Sequence, residues 1–160
     1  MFTLYCLKGA GSAAVEALLA ETDLPHQLED VERNADKTFP AWFLKINPAA
    51  QIPALRLPDD SVMTESAAMM IYLADLVPQR GLAPGAATPA RAQYLRWMLF
   101  LATAVYETDL RYYYPHRYVS ELAHAASVKE KADHDMTRHY GIIANANGFA
   151  EGQSGGPELR

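Results

Sequence analysis

Short apolar runs with the period of a β-strand alternate with helix-period segments in the first half of the chain. Phe2 to Leu7 is predicted to be a strand, and Gly9-Ala10-Gly11 ends it before Ser12 begins a helix as its N-cap. His26 to Val31 is predicted to be a second strand, and a short helical segment is predicted around Phe39 to Ile46. The first helix carries an apolar stripe of Ala14, Val15, Leu18 and Leu19.

A β-hairpin is predicted next. Ala54 to Leu57 and Val62 to Thr64 have strand character, and Pro58-Asp59-Asp60-Ser61 between them has the composition of a turn. A helix from about Glu65 to Val77 follows the hairpin. The resulting order, β-α-β-α-β-β-α, is that of a thioredoxin-like domain.

The helix predicted at 65–77 has apolar residues on two faces, so it must be covered from two sides. One face can pack on the sheet, and a second layer is needed for the other. The residues that follow are rich in Pro and Gly and lose helical periodicity. We therefore expect a first domain at 1–78, a linker at 79–88, a partial helical domain at 89–148 and a disordered tail at 149–160.

The helical domain is predicted to contain two long helices. Thr88 is a plausible N-cap with Pro89 at the first helical position, and that helix should run from Ala90 to near Arg111. Its main apolar stripe is Tyr94, Met98, Leu101 and Val105. A capping box of Ser127 and Glu130 predicts the second helix, with a stop at Asn147-Gly148. The apolar positions of this helix are Val128, Ala132, Met136, Tyr140 and Ile143.

Composition narrows the classes of function. The 160 residues are 50% hydrophobic with a formal net charge of -5, which argues against a nucleic-acid partner. No run approaches the ~18 apolar residues of a membrane span, so we expect no membrane partner and a cytoplasmic location. The single cysteine, Cys6, excludes an internal disulfide framework and is expected to be a small buried residue. His134 and His139 are predicted to lie on a solvated helix surface, and no metal site is expected.

Residues 51–66 carry the clearest chemical pattern. A proline at the start of a strand, as at Ile52-Pro53, gives up one ladder donor. We expect the Ile52-Pro53 bond to be cis, which turns the backbone of Ile52 outward. An extended peptide can pair with those groups. The helix start after Thr64 is suited to a carboxylate. The predicted ligand is a small peptide with a carboxylate at one end.

These residues also carry a family resemblance. Asn47-Pro48, Gln51-Ile52-Pro53 and Thr64-Glu65-Ser66 resemble the glutathione site of cytosolic glutathione transferases, especially bacterial ones, and the resemblance extends from Met1 to about Gly148. It implies a thioredoxin-like domain followed by a helical domain, with glutathione as co-substrate. The family is commonly dimeric through the helix at 64–77 and the long helix after Thr88. A homodimer is therefore expected, with the first domain of one subunit against the helices of the other.

The resemblance also assigns roles to residues. Gln51, Ile52 and Pro53 would bind the cysteinyl part of glutathione, and Glu65 and Ser66 its γ-glutamyl end. Ser12 is the first candidate for activating the thiol, because it combines a hydroxyl with a helix N-terminus. Tyr5 is the alternative, since some classes use a tyrosine near the end of the first strand. Gly11 stands where many bacterial relatives have cysteine, which argues against cysteine-type reductase chemistry.

A second substrate is expected against the long helix. By resemblance, the residues facing it are Tyr106, Glu107, Asp109 and Tyr113. The tyrosine-rich run at 111–118 supplies aromatic walls for a small apolar electrophile, although interdomain core or dimer contact explains it equally well. Family members usually continue for several more helices. The predicted function is detoxifying conjugation of glutathione to an electrophile, or reduction of a peroxide, and the alternative is a non-catalytic binding protein with an incomplete helical domain.

Overall fold

The computed structural model describes residues 1–146, and the chain divides into two compact units, the second beginning at Trp97. None of the helices described for these residues combines the length and hydrophobicity that a membrane crossing requires. Within the same range, no group of three or more His, Cys, Asp or Glu side chains is arranged to hold a metal ion.

The first unit is built on a mixed four-stranded sheet. Its strands lie in the order β2-β1-β3-β4, with β1 parallel to β2 and antiparallel to β3, and β3 antiparallel to β4. This topology confirms the predicted thioredoxin-like fold. The elements are β1 Phe2–Cys6, α1 Ala13–Thr22, β2 His26–Asp30, α2 Ala41–Leu44, β3 Ala54–Arg56, β4 Val62–Met63 and α3 Ser66–Asp75.

The two faces of β1 belong to different clusters, because successive side chains of a strand point to opposite sides. Leu4 packs on the face covered by α1 and α3, and Tyr5 packs on the face covered by α2. The first cluster contains Phe2, Leu4, Cys6, Val15, Leu19, Leu55, Met69 and Leu73. The second contains Tyr5, Val31, Phe39, Phe43 and Ala54. The two clusters therefore pack on opposite faces of β1 and β3, the two central strands of the sheet.

A bidentate ion pair fixes the chain after α3. The guanidinium of Arg91 meets both carboxylate oxygens of Asp75 at 2.6 Å, and the same group donates to the carbonyl of Pro84 at 3.2 Å. Planar pairing of this kind adds geometric specificity to charge. The end of α3 is thereby tied to the first turn of the next helix, α4, which spans Pro89–Phe100.

The helix predicted to run unbroken to Arg111 changes type in its middle. After α4, residues Leu101–Tyr106 form a π-helix, and α5 continues at Glu107–Tyr113. The wider π turn rotates the residues that follow it away from the α-helical stripe. Leu101, at the start of the π-helix, is 42% exposed although it belongs to the predicted stripe, whereas Val105 of the same stripe is buried, as is Thr108 in α5.

The predicted capping box at Ser127 is wrong. A 3-10 turn at Leu122–His124 leads directly into α6, which spans Ala125–Ala144, so Ser127 already lies inside the first turn. Its hydroxyl donates to the carbonyl of His124 at 2.8 Å. The predicted stop at Asn147-Gly148 and the tail at 149–160 lie outside the described residues.

The prediction of a solvated surface holds for His134 but is wrong for His139. His139 is buried, with Nδ1 3.3 Å from the hydroxyl of Thr108 and Nε2 2.8 Å from the guanidinium of Arg138. The ring of Phe100 meets it edge-on at 5.6 Å. His139 lies two turns after Ala132 on the same face of α6, and both residues are buried, whereas Tyr140 of the predicted apolar set is exposed.

Candidate functional site

The strand registers of the first unit bring three segments to one end of the sheet. Tyr5 pairs with Ala54, so the end of β1 lies beside the residues just before β3. Met63 pairs with Leu55, so the residues after β4 reach the same end. Ser12, Ile52 and Glu65 follow or precede these strand ends. These two antiparallel pairings bring together residues that are more than 50 positions apart in the sequence.

The Ile52–Pro53 bond is cis, as predicted. Ile52 precedes β3, and neither its amide nor its carbonyl has a hydrogen-bond partner among residues 1–146. Gln51 is exposed, and its carbonyl accepts from the side-chain amide of Asn47 at 2.8 Å. The backbone of Ile52 therefore offers the free donor and acceptor that an extended peptide needs.

Glu65 has an unusual backbone at the start of α3. Its φ of 66° lies in the left-handed region that L-residues seldom adopt, and its carbonyl accepts from the amide of Met69 at 3.0 Å. Such conformations cluster at binding sites, where the surrounding structure enforces them. The side chain is exposed, and Ser66 begins the helix whose first-turn amides lack intrahelical acceptors.

Ser12 stands immediately before α1, as predicted, but its side chain does not cap the helix. The hydroxyl lies 3.4 Å from both the amide and the carbonyl of Leu7, and the residue is only 1% exposed. Hydrogen bonds of this length are weak. Ser12 therefore lies near the end of β1, as the prediction requires. Its hydroxyl points back towards Leu7, the residue that follows this strand.

Tyr5 is buried on the α2 face of the sheet. Its ring lies 6.2 Å from that of Trp42 and 6.1 Å from that of Phe43, and the guanidinium of Arg56 stands 5.6 Å from its centre. Burial raises the pKa of Tyr5, and the charge of Arg56 partly opposes that shift. Arg56, to which the sequence assigned no role, has a buried Nε without a partner among the described residues. Tyr5 thus belongs to a packed aromatic cluster.

Cys6 is buried in the α1 and α3 cluster, as expected. Its thiol contacts the carboxylate of Asp30 at 3.4 Å and the carbonyl of Glu29 at 3.6 Å. Burial first, then the hydrogen bond to Asp30, raise the pKa of the thiol to about 11. A thiol of this kind is a poor nucleophile near neutral pH.

The Cys6 thiol is expected to make the protein less stable in alkaline solution. Its pKa rises on folding from about 9 to about 11, so the folded state holds this proton more tightly. That stabilisation is complete below about pH 9 and is lost as the pH rises towards about 11. Urea unfolding of the unaltered chain and of Cys6→Ala across this range measures the difference. Identical pH slopes for the two proteins would contradict the assignment.

The four residues predicted to face a second substrate lie in the second unit. Tyr106 ends the π-helix and is 46% exposed, and partial burial of its ring, followed by the charge of Glu107, raises its pKa. The carboxylate of Glu107 lies 3.4 Å from Arg111, and Asp109 accepts from the hydroxyl of Tyr140 at 3.4 Å. Tyr113 is exposed and stacks edge-on against Tyr112 at 5.1 Å.

A cavity of about 470 Å³ in the second unit is lined by other residues of α5 and α6 and by Tyr118 of the 3-10 turn Pro115–Tyr118. Its lining includes Thr108, Arg111, Lys131 and Asp135, and none of the four predicted residues contributes to it. The structure therefore places the four predicted residues on one helical stretch without enclosing them in this cavity.

The family model and the sequence relatives that match this chain belong to the same family. The model of the glutathione S-transferase N-terminal domain matches residues 12–76. The uncharacterized GST-like protein YncG of Escherichia coli K12 is 33% identical over 122 residues, which are 76% of this chain and 58% of YncG. Glutathione S-transferase GstA of E. coli O157:H7 is 33% identical over 110 residues, covering 65% of this chain and 52% of GstA. The chain thus spans little more than half the length of these relatives.

Solved structures agree with the sequence relatives. A glutathione transferase homologue from Sulfitobacter with bound glutathione superposes with a TM-score of 0.80 at 29% identity, covering 91% of this chain and 69% of that one. A glutathione transferase from Methylococcus capsulatus superposes with a TM-score of 0.77 at 31% identity, covering 91% of this chain and 68% of that one. The fold, the strand-end site and these similarities lead to one conclusion: the chain belongs to the glutathione transferase family, of the bacterial type.

Proposed function

We propose that this chain binds glutathione, activates its thiol and conjugates it to a small apolar electrophile, or uses it to reduce a peroxide. The observation that carries the proposal is the convergence of Ser12, Ile52 and Glu65 at one end of the sheet through the registers of β1, β3 and β4. The glutathione bound to the Sulfitobacter relative supports the choice of ligand.

In this proposal each segment of the site binds a different part of glutathione. The cysteinyl backbone pairs with the free amide and carbonyl of Ile52, between Gln51 and Pro53. The γ-glutamyl carboxylate binds at Ser66 and the first-turn amides of α3, where the helix dipole favours an anion. The γ-glutamyl ammonium pairs with the exposed carboxylate of Glu65.

Activation of the thiol is assigned to Ser12, with Tyr5 as the alternative. A thiol of pKa about 8.5 becomes a thiolate near neutral pH when a helix N-terminus and a hydroxyl donor stabilise the anion. Because its contacts to Leu7 are long, the Ser12 hydroxyl loses little when it turns towards a bound sulfur. Tyr5 would have to leave its packed cluster to do the same.

The second substrate is proposed to contact Tyr106, Glu107, Asp109 and Tyr113, whose tyrosine rings suit an apolar electrophile. The thiolate attacks the electrophilic carbon, a carbon–sulfur bond forms, and the leaving group departs with its electron pair. A detoxifying role in the cytoplasm fits this reaction class. We also propose that the two domains are limited by residues 78 and 88, because the residues between them are rich in Pro and Gly.

Titration calorimetry with glutathione, followed by a panel of electrophiles and hydroperoxides, tests the proposal. We expect binding at millimolar glutathione or below and turnover of at least one apolar electrophile. Absence of binding at millimolar glutathione would overturn the site assignment. Binding without any turnover would favour the second candidate function.

The second candidate function is a binding protein that holds glutathione without catalysis. The burial of Ser12 favours it, because a hydroxyl that stays on Leu7 cannot donate to a thiolate. Ultraviolet absorbance of bound glutathione separates the two functions. A thiolate band at neutral pH supports the enzyme, and a bound thiol without that band supports the binding protein.

A homodimer is proposed from the apolar residues left exposed just after α3, on α4 and on the π-helix. Leu76 and Leu99 are exposed, as is Leu101, and exposed apolar patches favour association. Sedimentation at micromolar concentration tests this. A monomer without affinity for hydrophobic dyes would contradict it.

A further inference from the structure

Asn47 has an unusual concentration of hydrogen bonds for a loop residue. It follows α2, where its amide donates to the carbonyl of Phe43 at 2.8 Å, and it is only 3% exposed. Its side-chain oxygen accepts from the amide of Ala49 at 3.1 Å, and its Nδ2 donates to the carbonyl of Gln51 at 2.8 Å. Its own carbonyl accepts from the amide of Ala50 at 3.1 Å.

These bonds hold a segment that has little else to hold it. Residues 48–51 are exposed and belong to neither a strand nor a helix. Ala50 has a φ of 53°, a left-handed conformation that costs an L-residue on the order of 1–2 kcal/mol. Such a conformation persists only where neighbouring contacts enforce it. Asn47 supplies those contacts on both sides of Ala50.

We propose that Asn47 is a positioning residue for glutathione, acting through the backbone of Gln51 on that of Ile52. The bond from Nδ2 fixes the carbonyl of Gln51, and this carbonyl belongs to the same rigid peptide plane as the amide of Ile52. The direction of the Ile52 amide is therefore set by the side chain of a residue that does not touch the ligand. This inference rests on the proposed function, since it assumes that glutathione pairs with Ile52.

The two ends of the Asn47 side chain can be tested separately. Asn47→Asp keeps an oxygen that accepts from Ala49 but removes the donor and places a carboxylate against the carbonyl of Gln51. Asn47→Ser keeps a short acceptor for the same amide, is too short to reach Gln51 and adds no charge. Agreement between the two variants would exclude an effect of the new charge alone.

Titration calorimetry separates positioning from loss of structure, because it measures both the Kd and the fraction of competent sites. We expect Asn47→Asp and Asn47→Ser to raise the Kd for glutathione about tenfold with the binding stoichiometry unchanged. Since the defect lies in the peptide pairing, S-methylglutathione should lose affinity by the same factor. Turnover at saturating glutathione should stay near that of the unaltered chain, so the loss appears in KM.

Asn145→Asp is the matched control. The Nδ2 of Asn145 also donates to a backbone carbonyl at 2.8 Å, that of Gly141, but in the second unit. The Kd of the Asn145→Asp variant for glutathione should equal that of the unaltered chain. If the unaltered chain itself does not bind glutathione, the proposed function and this inference fail together. If it binds and both Asn47 variants keep its Kd, or lose only stoichiometry, the inference alone is overturned.

Discussion

Replacing Glu65 by glycine is expected to give a protein that is more stable and binds glutathione about 10- to 100-fold more weakly. Glu65 holds a φ of 66°, which glycine adopts without penalty, so the free energy of unfolding should rise by about 1 kcal/mol. The loss of affinity follows from removing a charge-assisted bond to the γ-glutamyl ammonium. A gain in stability with a loss of binding would identify strain retained for ligand recognition.

Glu65→Gln separates the charge from the backbone. The side chain is exposed and has no partner among residues 1–146, so this change should leave the urea midpoint unaltered while the Kd rises by a similar factor. Calorimetry gives the Kd, and urea unfolding gives the stability. Normal glutathione affinity in Glu65→Gln would contradict the assigned role of the carboxylate.

Ser12→Ala is expected to lower turnover at pH 7 by about 10- to 100-fold, because the bound thiol should become about one to two pKa units more basic. The lost activity should return as the pH is raised past about 9, since the thiolate then forms without help. The fold should tolerate the change. The carbonyl of Leu7 keeps its bond from the amide of Ala10 at 3.0 Å, so only the amide of Leu7 loses a weak partner.

Tyr5→Phe is the control for this experiment. Tyr5 lies in the packed α2 cluster, so removing its hydroxyl should leave the pKa of the bound thiol unchanged. Absorbance of the bound thiolate as a function of pH measures that pKa in both variants. A raised thiol pKa in Tyr5→Phe and an unchanged one in Ser12→Ala would reverse the assignment.

The strands and helices of the first unit could be predicted from the sequence because residues close together along the chain largely determine them. The β3–β4 hairpin is set by a turn whose side chain makes its own bonds: Asp59 accepts from both the amide and the hydroxyl of Ser61. The two-residue period of β1 then assigns Leu4 to one face of the sheet and Tyr5 to the other. The cis bond before Pro53 was predictable from the Gln51-Ile52-Pro53 pattern and the family resemblance, since proline lowers the cost of a cis bond without by itself imposing one.

The second unit was harder to predict, since its details depend on contacts between helices. His139 is buried by Thr108 and Phe100, which are more than 30 residues away. The spacing of Ala132, Met136 and Ile143 includes position 139, but a polar side chain there is recognised as buried only when its partners are known. The true start of α6 depends on the 3-10 turn before it, which competes successfully with the pattern at Ser127.

Parts of the candidate site were also beyond sequence reasoning. Its three segments were identified, but the left-handed backbone of Glu65 and the orientation of the Ser12 hydroxyl were not. Both depend on how strand ends meet in space. Asn47 was noted within a family pattern, yet its role emerges only from the bonds that its side chain makes to Ala49 and Gln51.

The π-helix at Leu101–Tyr106 also has an evolutionary consequence. A single inserted residue can be absorbed in a helix as one wide turn, and its later deletion would restore α geometry without breaking the helix. Because the wider turn takes up about the 100° that one extra residue adds, the side chains downstream keep their direction relative to those upstream. Tyr113 would therefore stay on the same side of the helix with or without the extra residue. Gain or loss of one codon in this stretch is thus a change that homologues can absorb locally, with the surface beyond the π-helix left in place.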